Sequence, residues 1–369
     1  MPPTLKRFLL TIIEMEKKTM FTKRSLICMV VVSLMLTIPF LSLEAEGQEK
    51  RGRVALTILS GSVGSDGYNF CSALGDIIKK NNSLLTTSIV ETLGNVNQIK
   101  GVADAPPDSR KFYIGTAVDP LLNLARLGKG PFKKTGPINN WRILFTMYNV
   151  TPHFMTLNPK IRTPNDLIGK KIGLVPKKHG MSKDLLWILN KCYGIKDKVK
   201  VRHMPVGMLK DALLDGNIDV IGAGGMYFSY EEGFKVSPFN NVVMAARKDV
   251  YFIGVTKEEF ENAKRNDPNT TYLWTPVKAN AVRPGYPDRE SGLVTTSHNM
   301  FASKEMANKV AYEFVKTAAE NAHKVEDYFA DGKVFRLETF VVNPWSVKRY
   351  HPGALRYLGE KGLTPKGGL

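Results

Sequence analysis

One stretch constrains the fold more than any other: Thr163 to Leu189, TPNDLIGKKIGLVPKKHGMSKDLLWIL. It reads as a turn at Pro164-Asn165-Asp166, a Gly-Lys pivot, and a short buried strand, Lys171 to Val175. A polar loop follows from Pro176 to Ser182. The chain then becomes an amphipathic helix with Leu185, Leu186, Ile188, Leu189 and Cys192 spaced for one face. Strand, polar loop and helix start, in that order, aim free backbone N–H groups at whatever sits above the loop. The same order occurs once earlier. Val54 to Leu59 is an apolar strand, Gly61 to Gly67 a loop, and Phe70, Leu74, Ile77 and Ile78 mark a helix face. Two such half-sites predict two α/β lobes whose loops face each other across a cleft.

The rest of the chain extends this reading. Thr86 to Val90 is a strand that ends in the turn Glu91-Thr92-Leu93-Gly94-Asn95 and opens a short helix through Val96, Ile99 and Val102. Lys111 to Gly115 is a third strand, closed by Thr116 and Asp119-Pro120. Strand, polar turn and helix, three times running, is the pattern of a parallel sheet. Open sheets of that kind bind ligands at the carboxyl ends of their strands. Ser62, Ser65, Asp66, Thr92, Asn95 and Asp119 therefore share a rim. Arg142 to Val150 and His153 to Leu157 read as two extended segments, and Val199 to Met204 as a strand. A helix over Met208 to Leu213 leads to a strand over Asn217 to Ile221 and a turn at Gly222-Ala-Gly-Gly225, which places Gly224 among the candidate ligand contacts. Asn241 to Ala245 reads as a strand, Asn266 to Arg289 as loop, and Val294 to Ala302 as the extended return across the hinge. Thr256 with Glu259 forms a capping box, and Ser303 is expected to cap a long helix.

The N-terminus has a different character. Lys23-Arg24 precede an apolar run from Leu26 to Leu43, followed by a polar break at Glu44. This predicts a signal peptide over residues 1–45, cut after Ala45, with translation starting at Met1 or Met20, and a periplasmic mature chain. Leu43, at the −3 position, is larger than usual there. Without residues 1–45, 46 Lys and Arg face 31 Asp and Glu, a net +15. The basic residues are dispersed, with no Arg-rich arm or aromatic-interleaved stripe, so the charge favours an acidic small solute over nucleic acid. Cys71 and Cys192 lie on apolar helix faces and are expected as buried thiols. The six His share no metal-like spacing, and no phosphate loop or serine elbow occurs, so no metal or cofactor is expected.

These residues carry a family resemblance. Gly61-Ser-Val-Gly64 with Tyr68, Glu91-Thr-Leu-Gly-Asn-Val96, Gly128-Lys-Gly-Pro-Phe132, Asp166-Leu-Ile-Gly-Lys-Lys-Ile-Gly173, Leu214-Asp-Gly-Asn-Ile-Asp219 and His351-Pro-Gly-Ala354 with Tyr357 and Gly362 occur in order. In this the chain resembles the TAXI-type substrate-binding proteins of TRAP (tripartite ATP-independent periplasmic) transporters. The resemblance implies a type II-like periplasmic binding fold of two lobes, 46–155 plus 296–369 and 156–295, each an open sheet flanked by helices. It implies capture of an amino acid or carboxylate, glutamate or a dicarboxylate among them, and delivery to TRAP permease subunits. It implies ligand contacts at Ser62, Val63, Gly64, Ser65, Asp66, Tyr68, Thr92, Gly94 and Asn95 in the first lobe. In the second lobe it implies contacts at Lys177, Lys178, His179, Gly180 and Ser182. Lys177-Lys-His179 replaces a small neutral loop of the family, and Leu93 and Asn95 replace Gly and Ser. Alternatives are a receptor for an ATP-driven importer, a periplasmic sensor, or an exported hydrolase using Ser62 or Ser65.

Overall fold

The computed structural model describes residues 52–369 except Gly64, Lys178, His179, residues 230–232 and Ser237. The signal peptide expected over 1–45 lies outside these residues. Three parallel strands begin the fold: β1 (Val54–Ser60), β2 (Leu85–Glu91) and β3 (Tyr113–Val118). They are joined by α1 (Asp66–Asn81) and α2 (Asn95–Asp104), and α3 (Asp119–Leu127) leaves β3. α1 forms where the apolar spacing predicts it. Ser65 caps it, Asp66 stands in its first turn and Lys79 and Lys80 in its last, each charge complementing the helix dipole. Gly75 brings it close to the sheet, since a Cβ there would lie 2.8 Å from Ile89 Cδ1.

Two long strands carry the chain onward and back. β4 (Trp141–Thr156) is one continuous strand of 16 residues where two extended segments were expected, and β11 (Ser291–Ser303) is the return. They pair antiparallel with each other, while β11 also pairs with β3 and β4 with β7 (Val220–Ser229). β5 (Lys171–Leu174) lies parallel between β7 and β6 (Lys200–His203). The main path runs β2-β1-β3-β11-β4-β7-β5-β6, so the sheet is mixed, parallel at both ends and antiparallel in the middle. β8 (Gly233–Val236), β9 (Tyr251–Ile253) and β10 (Leu273–Val277) pair onto β7, β4 and β11. Helices flank the sheet: α4 (Gly180–Trp187), α5 (Val206–Leu214), α6 (Pro238–Ala246), α7 (Lys257–Arg265), α8 (Asn308–Glu320) and α9 (Pro352–Glu360). The fold class is α/β, as expected.

Several local expectations are corrected. Gly222 to Gly225 is the middle of β7 and not a turn, so Gly224 is a strand residue. A Cβ at Gly222 would lie 2.4 Å from Leu185 Cδ1 and 2.5 Å from Leu174 Cδ2, so glycine there serves close packing of α4 on the sheet. Asn241 to Ala245 is helical, inside α6. The supposed loop from Asn266 to Arg289 contains β10. Ser303 ends β11, its hydroxyl accepting from Glu305 N, and α8 starts five residues later behind Ala307. Cys71 and Cys192 are buried free thiols, and burial pushes each up to about 12.

The core divides along β4 and β11. One apolar cluster takes residues from Leu56 to Tyr148 and from Met300 to Leu358. Two others take residues from Phe154 to Val294. Between them the crossing strands are polar yet buried: Asn149, Thr151 and His153 on β4, and Thr295, Thr296, Ser297, His298 and Asn299 on β11.

Candidate functional site

The polar seam is closed on one side by the carboxyl ends of β1, β2 and β3. The two loops above those ends are tied together. Val63 N donates to Glu91 Oε1 at 3.0 Å, and Thr92 Oγ1 donates to Ser60 O at 2.7 Å while accepting from Gly94 N at 3.3 Å. Gly94 has φ +121°, which favours glycine and turns the chain so that Asn95 opens α2. Ser65 Oγ accepts from Tyr68 N at 3.3 Å, its capping bond. Val63 and Leu93 are exposed at the lip, Leu93 by 91%.

Below this rim stands His298. Its Nδ1 lies 2.5 Å from Tyr148 Oη, and its Nε2 lies 3.4 Å from Asn95 Nδ2. The Asn95 amide also donates to Thr116 O at 3.0 Å, so both its hydrogens are used and Nε2 is the accepting nitrogen. Nδ1 then carries the proton. Burial pushes the imidazole down to about 4, so the ring is neutral at neutral pH. Gly67, in the first turn of α1, passes above the ring, and a Cβ there would sit 3.6 Å from His298 Cε1. His153, at the other end of the seam, is neutral for the same reason, and is also pushed down to about 4. It donates from Nδ1 to Thr151 O at 3.0 Å, so Nε2 accepts from Tyr286 Oη at 2.8 Å.

Two seam atoms have no hydrogen-bond partner among the described residues: Asn149 Oδ1 and Thr296 Oγ1. They are neighbours in register, with Thr296 opposite Val150 and Ser297 opposite Asn149. A buried polar atom without a partner costs about 1–3 kcal/mol. On the acidic side, Asp331 is half-buried close to Asp66. Burial first, and the Asp66 charge second, push its carboxyl up to about 6. Asp331 also lines an open cavity of about 660 Å³ whose other walls include Lys235, Arg283 and Lys333.

The structure thus brings together Ser62, Val63, Ser65, Asp66, Tyr68, Thr92, Gly94 and Asn95 at one rim. Gly180 reaches the end of β3, where a Cβ on it would lie 3.9 Å from Val118 Cγ2. Lys177 is exposed before α4. Gly64, Lys178 and His179 lie outside the described residues. Three expected contacts are placed elsewhere. Asp119 is fully buried, accepting from Ser297 N at 2.9 Å, Asn299 Nδ2 at 2.6 Å and Trp345 Nε1 at 2.6 Å. Ser182 is buried with Oγ 3.4 Å from His203 Nδ1, and that nitrogen donates to Val175 O at 2.8 Å. Gly224 sits in β7 at an irregularity, where pairing with β4 steps from Ala223 opposite His153 to Met226 opposite Thr151. Sequence reasoning missed Tyr148, Asn149, Thr296, His298 and Asp331. The available signal was Thr295-Thr-Ser-His-Asn299, five polar residues inside an otherwise apolar strand.

Among the described residues, neither Ser62 nor Ser65 has a hydrogen bond to a histidine, and no group of three or more His, Cys, Asp or Glu could hold a metal. Among the described residues the arrangement is one of preset donors and acceptors, with neither Ser62 nor Ser65 paired to a base.

An α/β fold whose three apolar clusters are separated by a buried polar seam is the class that fold and site define. The chain belongs to the NMT1-like family, whose sequence model it matches over residues 58–362. No curated protein matches its sequence. Solved structures similar to it include a TctC solute binding protein from Polaromonas, at 10% identity, 75% of this chain, 88% of that chain and a TM-score of 0.47. Another is the periplasmic aliphatic sulphonate binding protein SsuA from Escherichia coli, at 12%, 85%, 94% and 0.43. The periplasmic binding protein BugD matches at 16%, 76%, 84% and 0.41. These are distant likenesses of fold, and no ligand or partner follows from them.

Proposed function

We propose that the protein is an extracytoplasmic solute-binding receptor of the TAXI type, capturing a small carboxylate or amino acid for a TRAP permease. One observation carries this reading: Asn149 Oδ1 and Thr296 Oγ1, buried and without partners among the described residues, lie on the paired strands β4 and β11 between the apolar clusters. Groups so placed gain most from a polar solute enclosed by the cleft. The six ordered motifs of the TAXI type support the family assignment, and the cations Lys235, Arg283 and Lys333, which outnumber Asp331 around the larger cavity, support an anionic group on the solute. In this reading the residues before and after the seam form the lobes 46–155 plus 296–369 and 156–295. β4 and β11 act as the hinge, and ligand selects the closed state. Among the described residues, the hydrogen bonds give no support to a hydrolase using Ser62 or Ser65.

Two results are expected. The protein from Glu46 onward should contract when a carboxylate or amino acid found by thermal-shift screening binds, as read by small-angle scattering. An unchanged radius of gyration at saturating ligand would count against closure. Asn95→Ala should weaken that binding by about 1–3 kcal/mol, because the side chain orients His298 and leaves its amide oxygen to the solute. Wild-type affinity in a folded Asn95→Ala protein would remove the α2 turn from the site.

A further inference from the structure

A second, smaller cavity lies between α3, the start of α4 and the segment from Asp267 to Tyr272. Its volume is about 270 Å³. Its floor is buried and polar. Asp184 is 3% exposed, and Tyr272 Oη donates to its Oδ1 at 2.6 Å. Thr271, 2% exposed, lines the cavity with an Oγ1 that has no hydrogen-bond partner among the described residues. One wall is apolar, made by Leu121, Leu124, Leu127 and the Trp187 ring, whose indole N–H is fixed on Asp267 Oδ2 at 2.9 Å. Lys183 stands half-buried beside the opening, and no ion pair to it is found among the described residues. The walls come from both sides of the seam and are pinned to each other. Arg126 holds Asn123 Oδ1 at 2.7 and 3.0 Å, which turns the Asn123 amide to donate to Asn269 O at 2.5 Å.

The cavity therefore offers an acceptor-rich floor, a cation at the mouth and an apolar flank, within a volume suited to a handful of heavy atoms. A purely apolar occupant would leave Thr271 Oγ1 and the free oxygen of Asp184 unpaired. A simple carboxylate would face Asp184 with like charge. We infer that this cavity is a second binding site, taking an amino acid with an apolar side chain: ammonium at Asp184 and Thr271, carboxylate at Lys183, side chain against Leu124, Leu127 and Trp187. The cavity shares Gly180 with the contacts expected of the receptor reading, and its test substitutes only Lys183, Asp184 and Thr271, none of them a seam or rim residue.

An ammonium beside Asp184 has a consequence that packing alone lacks. Burial pushes the Asp184 carboxyl up to about 7, so near neutral pH part of the population is protonated. Bound ammonium favours the carboxylate, and a proton is released on binding. The experiment is calorimetric titration of the full chain with L-leucine, 3-methylbutylamine and 4-methylpentanoate at pH 7, in two buffers of different ionisation enthalpy. L-leucine is expected to bind with buffer-dependent heat, and each single-charge analogue at least about tenfold more weakly. Asp184→Asn should weaken L-leucine binding about tenfold and abolish the buffer dependence. Thr271→Val and Lys183→Met should each weaken it several-fold, and Lys183, being half exposed, tests the site without risk to the core. No binding of L-leucine overturns the inference. So does 4-methylpentanoate binding as tightly as L-leucine, or full affinity in folded Lys183→Met and Thr271→Val.

Discussion

Replacing His153 with glutamine is expected to remove roughly 3 kcal/mol of acid sensitivity from the fold. The ring is held neutral by burial, with Thr151 O accepting from Nδ1 and Tyr286 Oη donating to Nε2. Its value is pushed down to about 4 in the native state, against about 6.5 in the unfolded chain. As pH falls, the unfolded chain takes up the proton first. The contribution of neutral His153 is therefore whole above pH 6.5, lost progressively down to about pH 4, and constant below that. At about 1.4 kcal/mol per unit, the gap amounts to roughly 3 kcal/mol. Urea denaturation of wild type and His153→Gln at pH 7 and pH 4 should show their stability difference falling by that amount. Parallel profiles would mean that the imidazole is solvated or charged in the native state. His298→Gln should behave alike, because the same burial acts on it. The difference between proteins is the quantity to read. Asp119 and Asp184 titrate with the opposite sign and mask the histidines in either protein alone.

The first half of the fold was legible because each element there announces itself locally. Val54–Ser60, Leu85–Glu91 and Tyr113–Val118 alternate with helices whose apolar residues repeat at helical spacing, and each junction carries Ser, Thr, Gly or Asp. The rim residues Ser62, Ser65, Thr92 and Asn95 followed from that alternation alone. The second half hid its strands for physical reasons. β7 contains Gly222, Gly224 and Gly225, which read as a turn, yet the strand is specified by its partners β4, β5 and β8 and by the packing of Leu174 and Leu185 on Gly222. α6 carries Val242 and Val243 and so resembles a strand, but tertiary packing of Val243 and Met244 decides it. β10 contains Pro276 and is an edge strand on β11, a position that tolerates proline.

The seam was the part of the candidate site least visible in sequence. His298 becomes a neighbour of Asn95 and Tyr148 only when β11 returns antiparallel between β3 and β4, contacts separated by 203 and 150 positions. No local pattern encodes a pairing of that range. Asp119 was placed on the rim because it follows a strand, and that inference was sound as far as the backbone goes: it is the first residue of α3. What no local pattern announces is the indole of Trp345, which arrives from 226 positions away and donates to the carboxylate.

Asp119→Ala should therefore be among the most damaging single changes in the protein, at roughly 3–5 kcal/mol, from about 1–3 kcal/mol for each buried donor left unpaired. The three groups that donate to this carboxylate, Ser297 N, Asn299 Nδ2 and Trp345 Nε1, are donors only, and all are buried. Alanine leaves Ser297 N and Trp345 Nε1 without an acceptor, and Asn299 Nδ2 with only Ser297 O at 3.4 Å, where β11 pairs between β3 and β4. The network does not end there, since Asn299 Oδ1 accepts from Thr146 Oγ1 at 2.9 Å and Asn343 Nδ2 donates to Thr146 Oγ1 at 2.8 Å. The damage should deepen in acid. Burial pushes Asp119 up to about 7, while the three donors restrain the rise, against about 3.9 in the unfolded chain. The native state therefore binds the proton more tightly, and the stability contributed by Asp119 is greatest below about pH 4 and declines as pH rises toward 7. The difference between wild type and Asp119→Ala should grow from pH 7 to pH 4, the opposite of His153→Gln. Denaturation of both variants at the two pH values separates the cases. A loss under about 1 kcal/mol at both pH values would show that water reaches the three donors and that the carboxylate is not what holds β11 in place.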